Sequence, residues 1–282
     1  MISQEKIEEM IEAMPAFSGS VTRIMELTAD INCAPRDLVE VIDHDPVMTV
    51  KILKLVNSAY FGLRQEILSI KQGVVILGIN TVKNLAITIA AVGMMPRNSI
   101  AGFDSQDFLL HSLGTATIAR ILSQRIGISN KESTDFFVAG LLHDFGKVVL
   151  VQSMPEKMQE ALSKAANEEM DLCAAEMEIV GTTHADLGAM LARKWKLPET
   201  LARSIEEHHN SSEANEDLPM RDCVIAANLL SKRLEFGHSG NPHNTEFPKP
   251  VEERFGGNLE KLLSELGDLS GELDKTRAFA AA

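Results

Sequence analysis

The residues best suited to chemistry in this chain are a histidine and an aspartate at adjacent positions, His143 and Asp144. An imidazole nitrogen and a carboxylate oxygen held on neighbouring backbone positions form a ready pair of ligands for a divalent transition metal. Gly146 then allows another segment of backbone to approach closely, and Lys147 brings an ammonium group that could hold an anionic ligand over the metal. The pair alone could also be a helix C-terminus with a surface acid, so its meaning depends on the other ligands that the chain supplies.

Further histidines lie at helical positions on both sides of this pair. One is upstream and three are downstream: His111, His184, His208 and His209. Neighbouring helix positions point about 100° apart, so only one of His208 and His209 can face a given ion squarely. We favour His208 as the ligand and give His209 a supporting or solvent-facing role. The remaining histidines are expected to be structural: His44, His238 and His243.

The charge of the chain argues against general nucleic-acid binding. Its 282 residues contain 27 lysines and arginines against 40 aspartates and glutamates, a formal net charge of -13. A chain of this charge repels phosphate backbones. Cys33, Cys173 and Cys223 are far apart and lack CxxC spacing, so we expect neither a disulfide framework nor a zinc knuckle. This cysteine usage fits a reducing cytoplasm.

The sequence predicts neither secretion nor a membrane span. Residues 1–9 are acidic and amphipathic, whereas a signal peptide would be basic and then apolar. The longest apolar region, residues 85–95, is interrupted by Thr88 and Gly93 and is too short to cross a bilayer. We therefore expect a cytoplasmic protein that does not bind a membrane.

The hydrophobic pattern predicts an all-α fold. Apolar residues recur at helical spacing, strand-like alternation is nearly absent and Gly-rich hairpin turns are missing. Helix N-caps are predicted at Asp45, Ser69, Asn80, either Thr134 or Asp135, and Asp222. A polar loop at residues 237–250 should end the domain, a short amphipathic helix should follow at residues 258–266, and residues 278–282 should be frayed.

A series of short motifs carries a family resemblance. They are Met14-Pro15-Ala16-Phe17, residues 42–49, residues 52–59, Ile76-Leu77-Gly78, residues 183–188, Trp195-Lys196-Leu197-Pro198 and residues 205–209. Together with the His-Asp pair they resemble the HDOD domain, a sub-branch of the HD superfamily of metal-dependent phosphohydrolases that is found in bacterial signalling. The resemblance covers about residues 14 to 235, and so many motifs in order are highly specific.

The resemblance implies a set of metal ligands. In the HD superfamily one histidine precedes the His-Asp pair, and a carboxylate on a late helix completes the shell of the first metal. The extra downstream histidines resemble those of the HD-GYP branch, which carries two or more metals. The ligands implied in this chain are His111, His143, Asp144, His184, His208, His209 and Asn228. Asp144 and Lys147 are the candidate catalytic residues, and histidine-rich ligation suits one or two ions of Fe, Mn, Ni or Zn.

Asn228 is the departure from the family pattern. Ala226-Ala227-Asn228 stands where HD enzymes usually have Ala-Asp, and an amide oxygen is a neutral, weaker ligand than a carboxylate. This departure is common in the HDOD branch, and it counts against catalysis more than against metal binding. The Gly-Tyr-Pro sequence of the cyclic-di-GMP enzymes is also missing, since Asn210-Ser211-Ser212-Glu213 follows His209.

Two functions therefore remain open. The first is a cytoplasmic HDOD regulator whose metal site is structural or senses a nucleotide ligand, with an N-terminal half that offers a surface to a signalling partner. The second is a working metal-dependent phosphohydrolase or phosphodiesterase on a nucleotide or cyclic dinucleotide. We expect an N-terminal helical part at residues 1–100, docked as one unit on an HD-like metal-site part at 101–236, and a loop with a short helix at 237–282.

Overall fold

The structure, a computed structural model, describes residues 2–30, 32–96, 99, 103–209, 218–241 and 247–280. Every regular element in these ranges is an α-helix, which confirms the predicted all-α fold. Many helices begin after a Ser, Thr, Asp or Asn whose side chain accepts a backbone N–H of the first turn. The local sequence therefore sets much of the helical pattern.

The N-terminal part of the chain contains α1 (Gln4–Ala13), α2 (Gly19–Ala29), α3 (Pro35–Asp43), α4 (Pro46–Val56), α5 (Ile70–Leu77) and α6 (Ile79–Gly93). Asp45 and Ser69 cap α4 and α5 as predicted. The predicted cap at Asn80 is wrong, because α6 already begins after Gly78. Gly78 has a φ of 86°, a conformation that glycine adopts without strain, and it turns the chain directly from α5 into α6.

The central part contains α7 (Ser105–Arg125), α8 (Ser133–Leu142), α9 (Gly146–Ser153), α10 (Pro155–Asn167), α11 (Leu172–Ile179), α12 (His184–Lys194), α13 (Glu199–Glu206) and α14 (Pro219–Arg233). The predicted cap of α8 at Thr134 or Asp135 is wrong, since the helix starts at Ser133. The two side chains instead accept hydrogen bonds from the Asn84 amide of α6, at 2.9 and 2.8 Å. They bind the N-terminal part to α8.

Asp222 is also not the N-cap that the sequence predicted. It lies inside α14 and is buried, where its carboxylate accepts hydrogen bonds from Arg221 and Arg254 at 2.9 and 2.6 Å. Two guanidinium partners offset the cost of burying this charge. Asp222 is therefore part of an internal ion-pair network.

The C-terminal part contains α15 (Lys249–Phe255), α16 (Leu259–Leu266) and α17 (Ser270–Ala280). Helix α16 matches the short amphipathic helix predicted at residues 258–266, and Asn258 caps it. The predicted fraying at residues 278–280 is wrong, because they complete α17 and Phe279 packs against the rings of Tyr60 and Phe137. Residues 281–282 and His243 lie outside the described ranges.

Helix α7 forms the centre of the fold. It packs against α8 and α14 most extensively and also against α17, and it is buried around most of its circumference. A helix in this position brings residues that are distant in sequence to one place. The metal-ligand candidates lie on or beside the helices that surround it.

The N-terminal part is held on the rest by a joint at the end of α12. The Lys194 ammonium donates hydrogen bonds to the carbonyls of Ile11, Glu12 and Met14 at 2.8 to 3.2 Å, so a cation covers the C-terminus of α1 where unpaired carbonyls collect. The Trp195 indole donates to the Pro15 carbonyl and stacks on a phenylalanine of the N-terminal part. One hydrophobic core runs through both parts.

No single helix in the described part of the chain is both long and apolar enough to cross a bilayer. Only α5 and α6 taken together reach that length and composition, and the two helices meet at a bend of 119°.

A fragment of residues 101–282 should fold poorly. The fragment lacks α1 to α6, so the apolar surface of α8, α9 and α12 would be exposed to water. Lys194 and Trp195 would also lose their hydrogen-bond partners. Thermal melting of the fragment, compared with the full chain, measures this dependence. A cooperative melt from a monomeric fragment would contradict it and would support an independent unit at residues 101–236.

Candidate metal centre

The candidate ligands lie at helix ends or on helices that converge beside α7. His111 projects from the middle of α7, His143 and Asp144 follow α8, His184 is the first residue of α12, and His208 and His209 follow α13. The ring of His208 and the side chains of His111, His143, Asp144 and His184 are buried. His209 is half-buried. The structure therefore brings together all the histidines that the sequence analysis selected as ligands.

Two glycines allow the backbones that carry these ligands to approach one another. A Cβ at Gly140 would lie 2.7 Å from the Cα of Ala116 on α7, which is closer than real Cβ contacts. A Cβ at Gly146 would overlap the carbonyl oxygen of His184 and lie 2.7 Å from the Gly188 nitrogen. The absence of these side chains sets the distance from the His-Asp pair to α7 on one side and to α12 on the other.

The Asp144 carboxylate lies between two groups of histidines. Its Oδ2 is 3.3 Å from His143 Nε2 and 3.8 Å from His111 Nε2. Its Oδ1 is 3.1 Å from His184 Nε2 and 3.5 Å from His208 Nε2. Ligand atoms of His111, His143 and Asp144 lie within 4.8 Å of one another, as do those of Asp144, His184, His208 and His209. One carboxylate thus belongs to two adjacent candidate ligand sets.

Hydrogen bonds on the far side of the rings orient three of the histidines. The Nδ1 atoms of His143 and His208 lie 2.7 and 2.6 Å from the carbonyls of Gly140 and Ile205. A carbonyl can only accept, so each Nδ1 carries the proton and each Nε2 keeps its lone pair. His184 Nδ1 lies 2.7 Å from the Glu176 carboxylate. Partners of this kind fix the tautomer and orientation of metal-binding histidines.

Several polar atoms at the centre are buried and have no hydrogen-bond partner among the described residues. Among them are the Nε2 atoms of His111, His143 and His208 and the Oδ1 atoms of Asp144 and Asn228. Buried polar groups are normally satisfied, and each of these atoms is a Lewis base. A divalent transition metal ion is the partner that such a set of nitrogen and oxygen donors fits.

The electrostatics of the centre suit metal binding. Burial lowers the pKa of His208 to about 3, and burial together with the neighbouring histidine and lysine side chains holds the pKa values of His111 and His209 well below the usual value. These rings are neutral near pH 7 and can donate a lone pair. Burial alone would raise the pKa of Asp144, but its interactions with the His143 and Lys147 side chains bring it well below its usual value, so the carboxylate is ionised.

Glu176 is a buried residue beside the candidate centre that the sequence analysis missed. It is fully buried on α11, and its carboxylate accepts hydrogen bonds from both the backbone N–H and the Nδ1 of His184, at 2.8 and 2.7 Å. Burial alone would lower the pKa of His184, but Glu176 raises it well above the usual value. Cys173 lies beside the same ring, with its sulfur 3.8 Å from Nδ1. No sequence motif links Glu176 to the histidines, because the contact depends on how α11 packs against α12.

The Lys147 side chain is buried and reaches the Asp144 carboxylate. Its buried ammonium donates hydrogen bonds to Asp144 Oδ2 at 2.7 Å and to the Ser239 carbonyl at 2.9 Å. Ser239 belongs to residues 237–241, a segment expected to be a plain domain-ending loop. Ser239 and Asn241 are buried, and Asn241 accepts from the Leu172 N–H and donates to Asp171. This segment, which we call the cover loop, packs over the centre.

Asn228 lies on the face of α14 that is turned toward α7. Ser231, three residues later, has its hydroxyl 3.5 Å from His111 Nδ1, and positions three apart share a helix face. Asn228 itself is buried. Its role as a metal ligand stays a prediction, as do the roles of the histidines and of Lys147. His44 and His238 are exposed, in keeping with structural roles.

Metal binding should strengthen as the pH rises through the neutral range. Because the pKa of His184 is well above its usual value, an incoming ion must displace a proton from this ring. Binding therefore releases a proton, and the apparent association constant should rise by up to about tenfold per pH unit while His184 is protonated. Competition with a chelator of known pH dependence, between pH 6 and 8, measures the slope. A flat or falling affinity would contradict the expectation.

Comparison of the chain with known proteins found a matching family model and several relatives. A sequence model described as the HDOD domain matches residues 14–211. An uncharacterized protein of Treponema pallidum (strain Nichols) is 26% identical over 230 residues, which is 81% of this chain and 44% of that protein. Ribonuclease Y of Aquifex aeolicus is 29% identical over 127 residues, 45% of this chain and 17% of the enzyme. The chain thus spans less than half the length of these curated relatives.

Solved structures share the fold along nearly the whole chain. An HDOD domain protein of unknown function from Geobacter sulfurreducens has a TM-score of 0.79 at 23% identity, over 98% of this chain and 96% of that one. A protein of Shewanella amazonensis SB2B named as a phosphohydrolase has a TM-score of 0.76 at 23% identity, over 97% and 98%. One of Marinobacter aquaeolei VT8 named for signal transduction has a TM-score of 0.75 at 21% identity, over 99% and 65%.

Proposed function

The chain belongs to the HDOD domain family, and from this membership and its buried histidine cluster we propose that it is a cytoplasmic signalling or regulatory protein with a retained metal centre. The observation that carries the proposal is the convergence of unpaired Nε2 atoms around the buried Asp144 carboxylate. The name of the Marinobacter structure, which refers to signal transduction, supports the regulatory part. The centre would hold one or two ions of Fe, Mn, Ni or Zn.

In this proposal His111 and His143 would hold one ion with Asp144, and His184 and His208 would hold the second with the same carboxylate, with His209 close enough to support it. Such an ion, when bound, would attract anionic oxygen ligands and lower the pKa of a bound water. Glu176 would fix the His184 ring, and the Lys147 ammonium would hold Asp144 Oδ2 in place. The protein thus supplies a buried set of ligands in which few side chains need to reorganise.

The enclosure of the centre favours a regulatory role. The cover loop is attached to the metal-centre side by Lys147 and by the Asp171–Asn241 contact, and Asn228 replaces the carboxylate of the HD enzymes. The N-terminal part supplies a surface for a partner protein, since it exposes large apolar side chains on and beside α4 and α5: Val47, Val50, Leu68, Val75 and Ile76. Exposed apolar patches of this kind often mark interaction sites.

A metal-dependent phosphohydrolase or phosphodiesterase is the second candidate. It is favoured by the shared carboxylate, because two adjacent ions can hold both the attacking and the leaving oxygen of a phosphoryl transfer. The names of the Shewanella structure and of ribonuclease Y point in the same direction. The substrate would be a nucleotide, a cyclic dinucleotide or another phosphate ester.

Metal analysis together with a hydrolysis panel separates the two candidates. The purified chain is loaded with each candidate metal and offered a phosphate monoester, a cyclic dinucleotide and a short RNA. Bound metal without turnover supports the regulator. Turnover that requires metal and is lost in Asp144→Asn supports the enzyme. A folded protein that binds none of the metals would contradict both.

Asn228→Asp should raise metal affinity roughly tenfold or more, since it adds a negative charge beside the centre without changing side-chain size. Phosphodiesterase activity should then appear or increase. Chelator competition measures the affinity, and Asn167→Asp, the same change on an exposed helix end, is the control. Unchanged affinity in a variant whose circular dichroism is native would mean that Asn228 does not face the metal.

A further inference from the structure

Lys232 is a buried cation near the metal centre that the proposed function does not use. It lies on α14 one helical turn after Asn228, so both residues share the face that is turned toward α7. Its Nζ is buried and has no hydrogen-bond partner in the part of the chain that the structure describes. A lysine near a helix end can usually extend its ammonium into water. Lys232 directs it inward instead.

The neighbouring residue, Arg233, shows that a side chain on this part of α14 can reach solvent. Arg233 is exposed and pairs with Glu260 at 2.8 Å, so the same stretch of helix reaches solvent one position later. Burying an ammonium without a partner costs several kcal/mol. An inward-pointing Lys232 therefore indicates a missing anionic partner.

The Lys232 ammonium lies beside the centre, because the charged groups that interact with it belong to the centre or surround it. They are Lys147, Asp144, Asp171 and Cys173. Burial, with the repulsion of Lys147, lowers the pKa of Lys232 to about 8, so the charged form still predominates at neutral pH. The nearby acids have other donors, because Asp144 Oδ2 accepts from Lys147 and Asp171 accepts from Asn241 and from the Cys173 N–H, and neither acid accepts a hydrogen bond from Lys232.

Bound metal would give the centre an excess of positive charge. Without metal, the ammonium groups of Lys147 and Lys232 and the His184 ring lie near the carboxylates of Asp144, Asp171 and Glu176, so the charges are close to balanced. Bound divalent ions would add positive charge, and Asn228 contributes no carboxylate to offset it. The excess is best neutralised by an anion with several oxygens, since one oxygen can face the metal while another accepts a hydrogen bond from an ammonium.

We propose that Lys232 binds an oxygen of a phosphate group whose other oxygens face the metal centre, so that the ligand or substrate of this protein is a phosphate ester. Lys147 is less available for this role, because two of the three N–H donors of its ammonium are directed at Asp144 and Ser239. The inference rests on the proposed metal centre, and it assigns the recognition of the anion to α14. A phosphate monoester and a phosphodiester share this chemistry.

Isothermal titration of the metal-loaded chain with inorganic phosphate and with a short phosphodiester, the dinucleotide UpU, tests the proposal. Lys232→Met removes the charge and keeps most of the length, and it should weaken binding by about tenfold to a hundredfold. Lys232→Arg should restore part of the loss. Lys54→Met, an exposed lysine on α4, is the matched control and should bind like the wild type.

The titrations with inorganic phosphate and with UpU show which kind of phosphate group the protein recognises. A larger loss for inorganic phosphate indicates a terminal phosphate, and a larger loss for the dinucleotide indicates a diester. Metal content is measured in every variant, so absence of metal from the wild type defeats the proposed function itself. Bound metal with phosphate affinity unchanged in Lys232→Met overturns only the present inference.

A measurement on the wild type covers the case in which Lys232→Met does not fold. The side-chain ammonium resonance of Lys232 is followed by NMR while inorganic phosphate is added to the metal-loaded protein. A saturable shift at the affinity found by titration supports the contact. Phosphate binding without any change at the Lys232 resonance overturns it.

Discussion

A Gly146→Ala variant should lose about 3 kcal/mol or more of folding stability, at or beyond the upper end of what overpacking usually costs. The added methyl group would overlap the His184 carbonyl and press on the Gly188 nitrogen, which are backbone atoms of α12. A flexible side chain could move aside, but a packed helix backbone can only shift as a whole. The variant should also bind metal more weakly, because any such shift separates His184 from Asp144.

Chemical denaturation measures the stability loss, and Gly19→Ala is its control. Gly19 lies in the first turn of α2, and a Cβ there would meet nothing within 4 Å. Alanine is the better helix former, so the control should be neutral or slightly stabilised. If Gly146→Ala is as stable as Gly19→Ala, the close crossing of α9 and α12 is wrong.

Replacing His143 with alanine should lower metal affinity by more than a hundredfold. Residues that merely support a ligand contribute about 10- to 100-fold, and His143 offers a fixed, buried Nε2 at 3.3 Å from Asp144. The variant should still fold when metal is absent, since the change removes a partly unsatisfied polar group. Elemental analysis after dialysis against a weak chelator gives the metal content.

His44→Ala is the matched control for this loss. His44 is exposed at the end of α3, and its Nδ1 lies 2.7 Å from the Glu40 carbonyl of the same helix. Its replacement should leave metal content unchanged. Equal metal content in folded His143→Ala and in the control would show that the histidine cluster is not a metal centre.

The grouping of the candidate ligands could be predicted from the sequence because a cluster of this kind depends on rare residue types. Histidine is rare, and five of eight histidines in one ordered pattern are informative. Helix starts at Asp45, Ser69 and Asn258 were equally readable, since the cap and the first turn lie within four residues of each other.

The features that could not be predicted from the sequence depend on contacts between distant segments. Glu176 meets His184 only through the packing of α11, and glutamate is common enough to attract no notice. The cover loop reads as polar and glycine-rich, yet its backbone is tied to Lys147 across 92 positions. Phe279 near the C-terminus is apolar in a short polar tail, and only the groove beside Tyr60 and Phe137 makes it part of the core.

The cap errors have a common physical origin. Asn80, Thr134, Asp135 and Asp222 are all residue types that favour N-caps. In each case a tertiary partner or a glycine turn overrode the local preference. Thr134, Asp135 and Asp222 then serve as links between helices.

Helix α12 gives the molecule a mechanical link between its two parts. Its first residue is His184 and its last is Lys194, with Trp195 beyond it, so the helix is about 16 Å long and connects the metal centre to the joint with α1. A helix of this length moves as a rigid rod, so a displacement of the Trp195 end also displaces the His184 ring. By thermodynamic reciprocity, a partner that binds the N-terminal part more tightly when metal is present must strengthen metal binding by the same factor.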